Sequence, residues 1–171
     1  MNTQNNPLID HYVRLLAYET WANERAVVSI ESIPPGNRGD DRYQRVIGLL
    51  PHCLLARQVW LWRVNAVAYD TIKDWFPPMS PRQIAEIALD VDAQWSQYLG
   101  ALTEAELARE IHYTASDATA YVSRVADILT HVFNHSTYHR GQIARLVTEL
   151  GGQRASTDSI TFSRSTAPAA R

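Results

Sequence analysis

Residues 131–142 read His131-Val-Phe-Asn-His135-Ser-Thr-Tyr-His139-Arg-Gly-Gln142, and this stretch guides the interpretation of the whole chain. At about 100° per residue on an α-helix, His135 and His139 lie one turn apart on the same face. That face also carries aliphatic residues: Ile128, Val132, Ile143 and Leu146. The pattern predicts an amphipathic helix over about residues 121–150, with both histidines directed into a core rather than into water.

Two neutral imidazoles among aliphatic side chains need polar partners. For this pair alone, a core hydrogen bond and a shared metal ion are equally good interpretations. A third histidine, His52, lies on the apolar face of another predicted helix and favours the metal. Three inward histidines from two helices form a facial set that leaves a coordination position open. The sequence therefore predicts one divalent transition metal per chain, held by His52, His135 and His139.

The other candidate ligands fit this pattern less well. His131 precedes His135 by one turn and could join the site, but it lies at the edge of the apolar stripe and suits a pocket wall better. His11 and His112 are expected at the surface or in loops. Cys53 follows His52 and points about 100° away, as a small core residue would.

The remaining patterns predict an all-α fold in one domain, residues 1–164, followed by a flexible tail at 165–171. Four long amphipathic helices are expected, at about 7–33, 41–68, 80–102 and 121–150. Such segments with short to medium connections indicate a four-helix bundle. Pro51 implies that the second helix either kinks or begins again there. A short extended segment is expected before the fourth helix, at 110–119, and another at 159–162.

Composition excludes several classes of function. The formal net charge is −2, so there is no basic excess for nucleic-acid binding. No apolar run approaches the roughly 20 residues that span a bilayer, and the start lacks a secretory signal. With the single Cys53, these features predict a cytoplasmic protein. Ser136 stands where a zincin metalloprotease requires glutamate, which excludes that class.

Three segments together resemble the DinB-like family. Tyr18-Glu-Thr-Trp21-Ala-Asn23 is similar to its "Y-x-x-W-A-N" signature, and residues 131–142 to its "H-x-x-N-H-x-x-Y-H-R-G-Q" motif. His52, followed by Trp60 and Arg63, fits its central segment. The resemblance implies an up-down-down-up bundle, usually a homodimer, with zinc or nickel bound at the three histidines. Two residues depart from the usual pattern of the family. Pro51 directly precedes the first histidine, and Arg57 stands where relatives often carry an acidic residue.

The resemblance also implies a range of activities. Some relatives use a low-molecular-weight thiol, such as bacillithiol or mycothiol, as transferases or isomerases, and many have no known reaction. A metal with three neutral ligands can acidify a bound thiol or water. We therefore expect a metal-dependent enzyme, a thiol-dependent S-transferase or a hydrolase, acting on a small electrophile. The alternative is a non-catalytic, stress-associated metal-binding protein, which the lack of an acid–base carboxylate on the metal face favours.

Other residues of these segments carry open expectations. Asn23 either bonds a ligand imidazole or caps a helix contact, and Tyr138 faces either a pocket or a dimer partner. Gly141, in mid-helix, suggests close approach of another helix. Trp60 and Trp62 cannot share one helix face, so at least one is expected at a homodimer interface.

Overall fold

The computed structural model describes residues 6–115 and 117–164, and it is mostly helical. In chain order the elements are α1 (Pro7–Glu31), α2 (Asp41–Val64), α3 (Pro81–Gly100), α4 (Glu104–Ala108), β1 (Glu110–Thr114), β2 (Ala120–Arg124), α5 (Val125–Glu149) and α6 (Ser159–Ser163). A single turn of 3-10 helix, Pro35–Asn37, joins α1 to α2. None of these helices is long and apolar enough to cross a membrane.

The ends of the long helices follow from local side-chain chemistry. The Asn6 side chain accepts a hydrogen bond from the Leu8 N–H, and Pro7 occupies the first turn of α1. Ser80 and Gln83 form a capping box at the start of α3. Gly151, at φ +75°, follows α5 in the left-handed conformation that glycine tolerates.

The structure assigns two segments to elements other than those expected. Residues 121–124, expected to be helical, belong to β2, which pairs antiparallel with β1. Tyr121 and Val122 are of residue types that favour strands, and β2 satisfies its backbone groups on β1. Residues 159–162 are helical rather than extended. Of the two possibilities left open at Pro51, a new start is excluded, because α2 runs through this residue. The expected tail, 165–171, lies outside the described residues.

Two hydrophobic clusters divide the interior between the two ends of the helices. The first joins the early part of α1 and α5 to the late part of α2 and α3, around the buried Trp95. The second joins the late part of α1 and α5 to the early part of α2 and α3, with Ile30, Leu50, Ile84 and Val147. Each helix therefore contributes one end to each cluster.

Buried polar residues occupy the middle of the helices, between the stretches that enter the two clusters. Arg140 of α5 donates to Glu19 of α1 at 2.7 Å and to the Asn23 side-chain oxygen at 3.0 Å. Arg57 of α2 lies 2.6 Å from Asp92 of α3 and is itself 1% exposed. Arg57 is thus an internal ion-pair partner.

The segment after α5 returns along α1. The Tyr18 hydroxyl donates to the Thr157 carbonyl at 2.7 Å, and the Ser29 hydroxyl donates to the Gln153 carbonyl at 3.0 Å. Further along, the Phe162 ring packs against Trp21 with centroids 5.6 Å apart. The family-like signature on α1 therefore serves partly to hold this segment.

Breaking the Glu19–Arg140 pair tests how much the buried polar residues in the middle of the helices contribute to stability. Arg140→Ala leaves a buried carboxylate without its cation, and we expect a loss of about 3–5 kcal/mol in the free energy of unfolding. The matched control is Arg82→Ala, which removes an exposed pair with Glu86 and should cost about 0.5 kcal/mol or less. Urea denaturation measures both, and equal losses in the two variants would contradict this assignment.

Candidate metal centre

The structure brings His52 of α2 together with His135 and His139 of α5. One ring nitrogen from each lies within 4.8 Å of the others, which is the arrangement of a group that could hold a metal ion. The Nε2 atoms of His52 and His135 are 3.2 Å apart. His139 is buried and the other two are half-buried, so the group lies between the helices with one side open.

Hydrogen bonds orient two of these rings. The Nδ1 atom of His52 lies 2.8 Å from the carbonyl oxygen of Trp75, which can only accept, so Nδ1 carries the proton and Nε2 presents its lone pair. The Phe76 ring stacks on His52, with centroids 4.1 Å apart and planes at 14°. On α5, the Nδ1 atom of His139 lies 3.2 Å from the side-chain oxygen of Gln142. Metal-binding histidines are commonly fixed in this way through the other ring nitrogen.

The separation of the Nε2 atoms fits a transition metal. The Nε2 atoms of His52 and His135 are 3.2 Å apart, a separation at which both could bind one transition-metal ion. Neutral imidazole nitrogens are borderline-soft ligands that suit zinc, nickel and copper. The residues present therefore fit a divalent transition metal.

Electrostatics keep two of the histidines in the form that binds metal. Burial, with smaller contributions from the neighbouring His139 and His52, lowers the pKa of His135 to about 4. Burial also lowers the pKa of His52, against the opposing effect of its hydrogen bond to Trp75. Near neutral pH both imidazoles are uncharged and their lone pairs are available.

The other candidates lie outside this group. The His131 ring is 5.3 Å from that of His135 and packs edge-on against Trp60, so it borders the site without entering the three-histidine group. His11 and His112 are exposed, as expected. Cys53 is buried, and burial raises the pKa of its thiol to about 12, in keeping with a core residue.

The structure also shows polar neighbours that the sequence analysis missed. Glu19 lies within electrostatic reach of His135, where it acts to raise the pKa of that imidazole. Its place on the inner stripe of α1, between Leu16 and Asn23, was a usable signal. Asn23 bonds Glu19 and Arg140 instead of a ligand imidazole, so it stabilises a helix contact. The Trp75 carbonyl and the Phe76 ring had no comparable signal, because they lie in an irregular loop.

An open cleft of about 970 Å³ adjoins His139. Its lining includes apolar residues and three arginines beside one glutamate: Leu49, Phe76, Pro78, Leu146, Arg42, Arg45, Arg145 and Glu149. Tyr138 is 66% exposed and lines this cleft, in keeping with a pocket position. Among the described residues, nothing lies within 4 Å of where a side chain of Gly141 would begin, so the expected close approach of another helix of this chain is wrong.

Comparisons with known proteins agree with this fold. The family model described as the DinB family matches residues 1–170. A DinB-like protein from Bacillus cereus ATCC 10987 has a similar solved structure, with a TM-score of 0.61 and 16% identity, covering 86% of this chain and 95% of that one. No curated protein matches the sequence significantly. Because the family model spans nearly the whole chain, this protein belongs to the DinB family.

Proposed function

We propose that this protein binds one divalent transition metal, zinc or nickel, through His52, His135 and His139, and that it acts as a metal-dependent enzyme on small molecules. The observation that carries the proposal is that the three histidines lie close together and that one of them, His139, lines an open cleft. A site with three protein ligands and access for a small molecule is typical of catalytic rather than structural metal centres.

When bound, a divalent ion with three neutral ligands supplies a strong Lewis acid. The chain's own residues do the remaining work. His139 and Gln142 form one wall of the cleft, and Leu49, Phe76 and Leu146 offer apolar surface to the body of a substrate. Arg42 pairs with Asp40 and Arg145 pairs with Glu149, whereas Arg45, among the described residues, forms no ion pair within 4 Å and acts on Glu149 only at longer range. This lining suits a small molecule that carries an acidic group.

These features support a thiol-dependent transfer or a hydrolysis, in line with the resemblance. A low-molecular-weight thiol with a carboxylate, and a small electrophile, are the proposed substrates. The family resemblance further supports a homodimer, an up-down-down-up four-helix bundle and a cytoplasmic location. The two shared hydrophobic clusters favour that helix order. Trp62 stacks on Tyr69 of the following loop, so the proposed dimer does not depend on this tryptophan.

The alternative is a non-catalytic metal-binding protein associated with stress. One observation favours it: among the described residues, the carboxylates nearest the cluster and the cleft are already paired. Glu19 is bonded to Arg140, and Glu149 to Arg145. Neither is free to act as a general base on a substrate.

The first test is metal content. We expect about one equivalent of zinc or nickel per chain in the purified protein, measured by elemental analysis. His135→Ala combined with His139→Ala should reduce it to background, since one remaining imidazole cannot hold the ion. The matched control combines His11→Ala with His112→Ala, two exposed histidines, and should keep the full content. Metal retained by the first double variant would contradict the proposed ligands.

The second test is acid sensitivity of the metal-free protein. Folding lowers the pKa of His135 to about 4. Between about pH 6.5 and pH 4, His135 is therefore protonated in the unfolded chain but neutral in the folded chain. Stability from this group is therefore complete above about pH 6.5 and is lost as the pH falls towards 4. We expect His135→Asn to flatten the dependence of the unfolding free energy on pH over this range, in urea denaturation of chelator-treated samples. An unchanged slope, matching that of His112→Asn, would contradict the assignment.

The third test is turnover. Holo protein, metal-free protein and His139→Ala are compared on low-molecular-weight thiols with reactive electrophiles, and on a parallel panel of simple esters and amides. We expect activity in the holo protein alone. Arg45→Gln should raise KM about two- to fivefold for mercaptosuccinate but not for cysteamine, the effect of one exposed charge. Arg82→Gln is the control. No rate above the metal-free protein on either panel would favour the non-catalytic alternative.

A further inference from the structure

The loop segment 74–79, here called the strap, crosses α2 beside the histidine group. Its first turn is closed by the Asp74 carboxylate, which accepts a hydrogen bond from the Phe76 N–H at 2.8 Å. Its end is tied down by the Met79 N–H, which donates to the carbonyl oxygen of Ile47 at 3.2 Å. Between these points the strap contributes the two groups that touch His52, the Trp75 carbonyl and the Phe76 ring.

Pro51 explains why α2 can receive the strap. In a regular helix the Ile47 carbonyl would accept from the N–H of residue 51, but proline has no N–H. The Ile47 carbonyl is therefore left without a helical partner in the interior of α2, and Met79 supplies the missing donor. The proline that departs from the family pattern thus creates the acceptor to which the strap binds.

Gly48 provides the second requirement, which is space. A Cβ atom at this position would lie 2.8 Å from the Phe76 carbonyl oxygen, closer than real Cβ contacts allow, and the obstructing atom belongs to the backbone. Glycine in mid-helix is destabilising relative to alanine. The close approach of the strap accounts for that cost at Gly48.

We propose that Pro51 and Gly48 are positioning residues that dock the strap onto α2, and that the docked strap fixes His52 in the Nδ1–H form with Nε2 directed at His135. The inference rests on the proposed metal site and concerns how one ligand is held there. The effect of Pro51 and Gly48 passes through the strap to the ring of His52.

Two substitutions test this, and both improve intrinsic helix propensity. Pro51→Ala returns the N–H that competes for the Ile47 carbonyl, and Gly48→Ala introduces the obstructing Cβ. Gly141→Ala is the matched control, because it is a mid-helix glycine with nothing within 4 Å. Zinc affinity is measured by competition with a chromophoric chelator. The tautomer of His52 in the metal-free protein is measured by long-range proton–nitrogen NMR correlation, with His52→Gln to assign the signal.

We expect Pro51→Ala and Gly48→Ala to lower zinc affinity about 10- to 100-fold, the usual effect of losing a ligand's outer partner. They should also reduce the Nδ1–H population of His52, while Gly141→Ala changes neither quantity. If Gly48→Ala fails to fold, the same two measurements on Pro51→Ala and Asp74→Ala test the proposal instead. Wild-type affinity and tautomer in the docking variants would overturn the proposal, as would a wild-type His52 protonated on Nε2. Absence of zinc binding in the wild type would refute the metal site. The tautomer measurement would still test whether the strap fixes His52 in the Nδ1–H form.

Discussion

The ion pair between Glu19 and Arg140 is the contact on which the arrangement of the helices depends. Both side chains are essentially inaccessible, and the guanidinium also reaches Asn23, Tyr18 and the Thr137 hydroxyl. Removing two charges from water is expensive unless most of their hydrogen bonds are replaced. That requirement is met only when α1 and α5 are paired in this register, because a slip of one turn would bury both charges without partners. Arg140 follows His139 directly, so the same register places the histidines.

The position of the three-histidine group follows from this arrangement. His52, His135 and His139 lie beside the polar middle of the interior, between two hydrophobic clusters that hold the helices at either end. Polar residues at this level are supported by partners from other helices. Glu19 is within reach of His135, and Arg57 is neutralised by Asp92. The buried charged residues therefore lie together in the middle of the helices, where they stabilise the pairing of the helices and support the three-histidine group.

Much of the site could be predicted from sequence, because its ligands follow helical periodicity. His135 and His139 are one turn apart on a strongly amphipathic helix, and His52 lies on a comparable face, so three-dimensional proximity followed from local spacing. The strap could not be predicted, since the conformation of residues 74–79 depends on contacts with α2 rather than on a repeating pattern. Pro51 was recognised as unusual, but the partner of the Ile47 carbonyl is visible only in three dimensions.

The errors in the fold have a similar origin. Residues 121–124 are compatible with either a helix or a strand, and pairing with β1 decides between them. Residues 159–162 form one short helical turn against α1, where the aromatic contact of Phe162 with Trp21 outweighs local propensity. Gly141 shows the opposite case, since its environment is open and its presence has no structural explanation.

The segment that returns along α1 has a consequence for biosynthesis. Its contacts join Tyr18 to Thr157 and Ser29 to Gln153, residues more than 120 positions apart in the chain. Such long-range contacts form late, after the intervening chain exists. During translation, the face of α1 that carries Tyr18 and Trp21 stays uncovered until the last of these partners emerges from the ribosome. The nascent chain thus exposes an aromatic surface of the kind that chaperones bind, and it conceals that surface only when synthesis has passed Phe162.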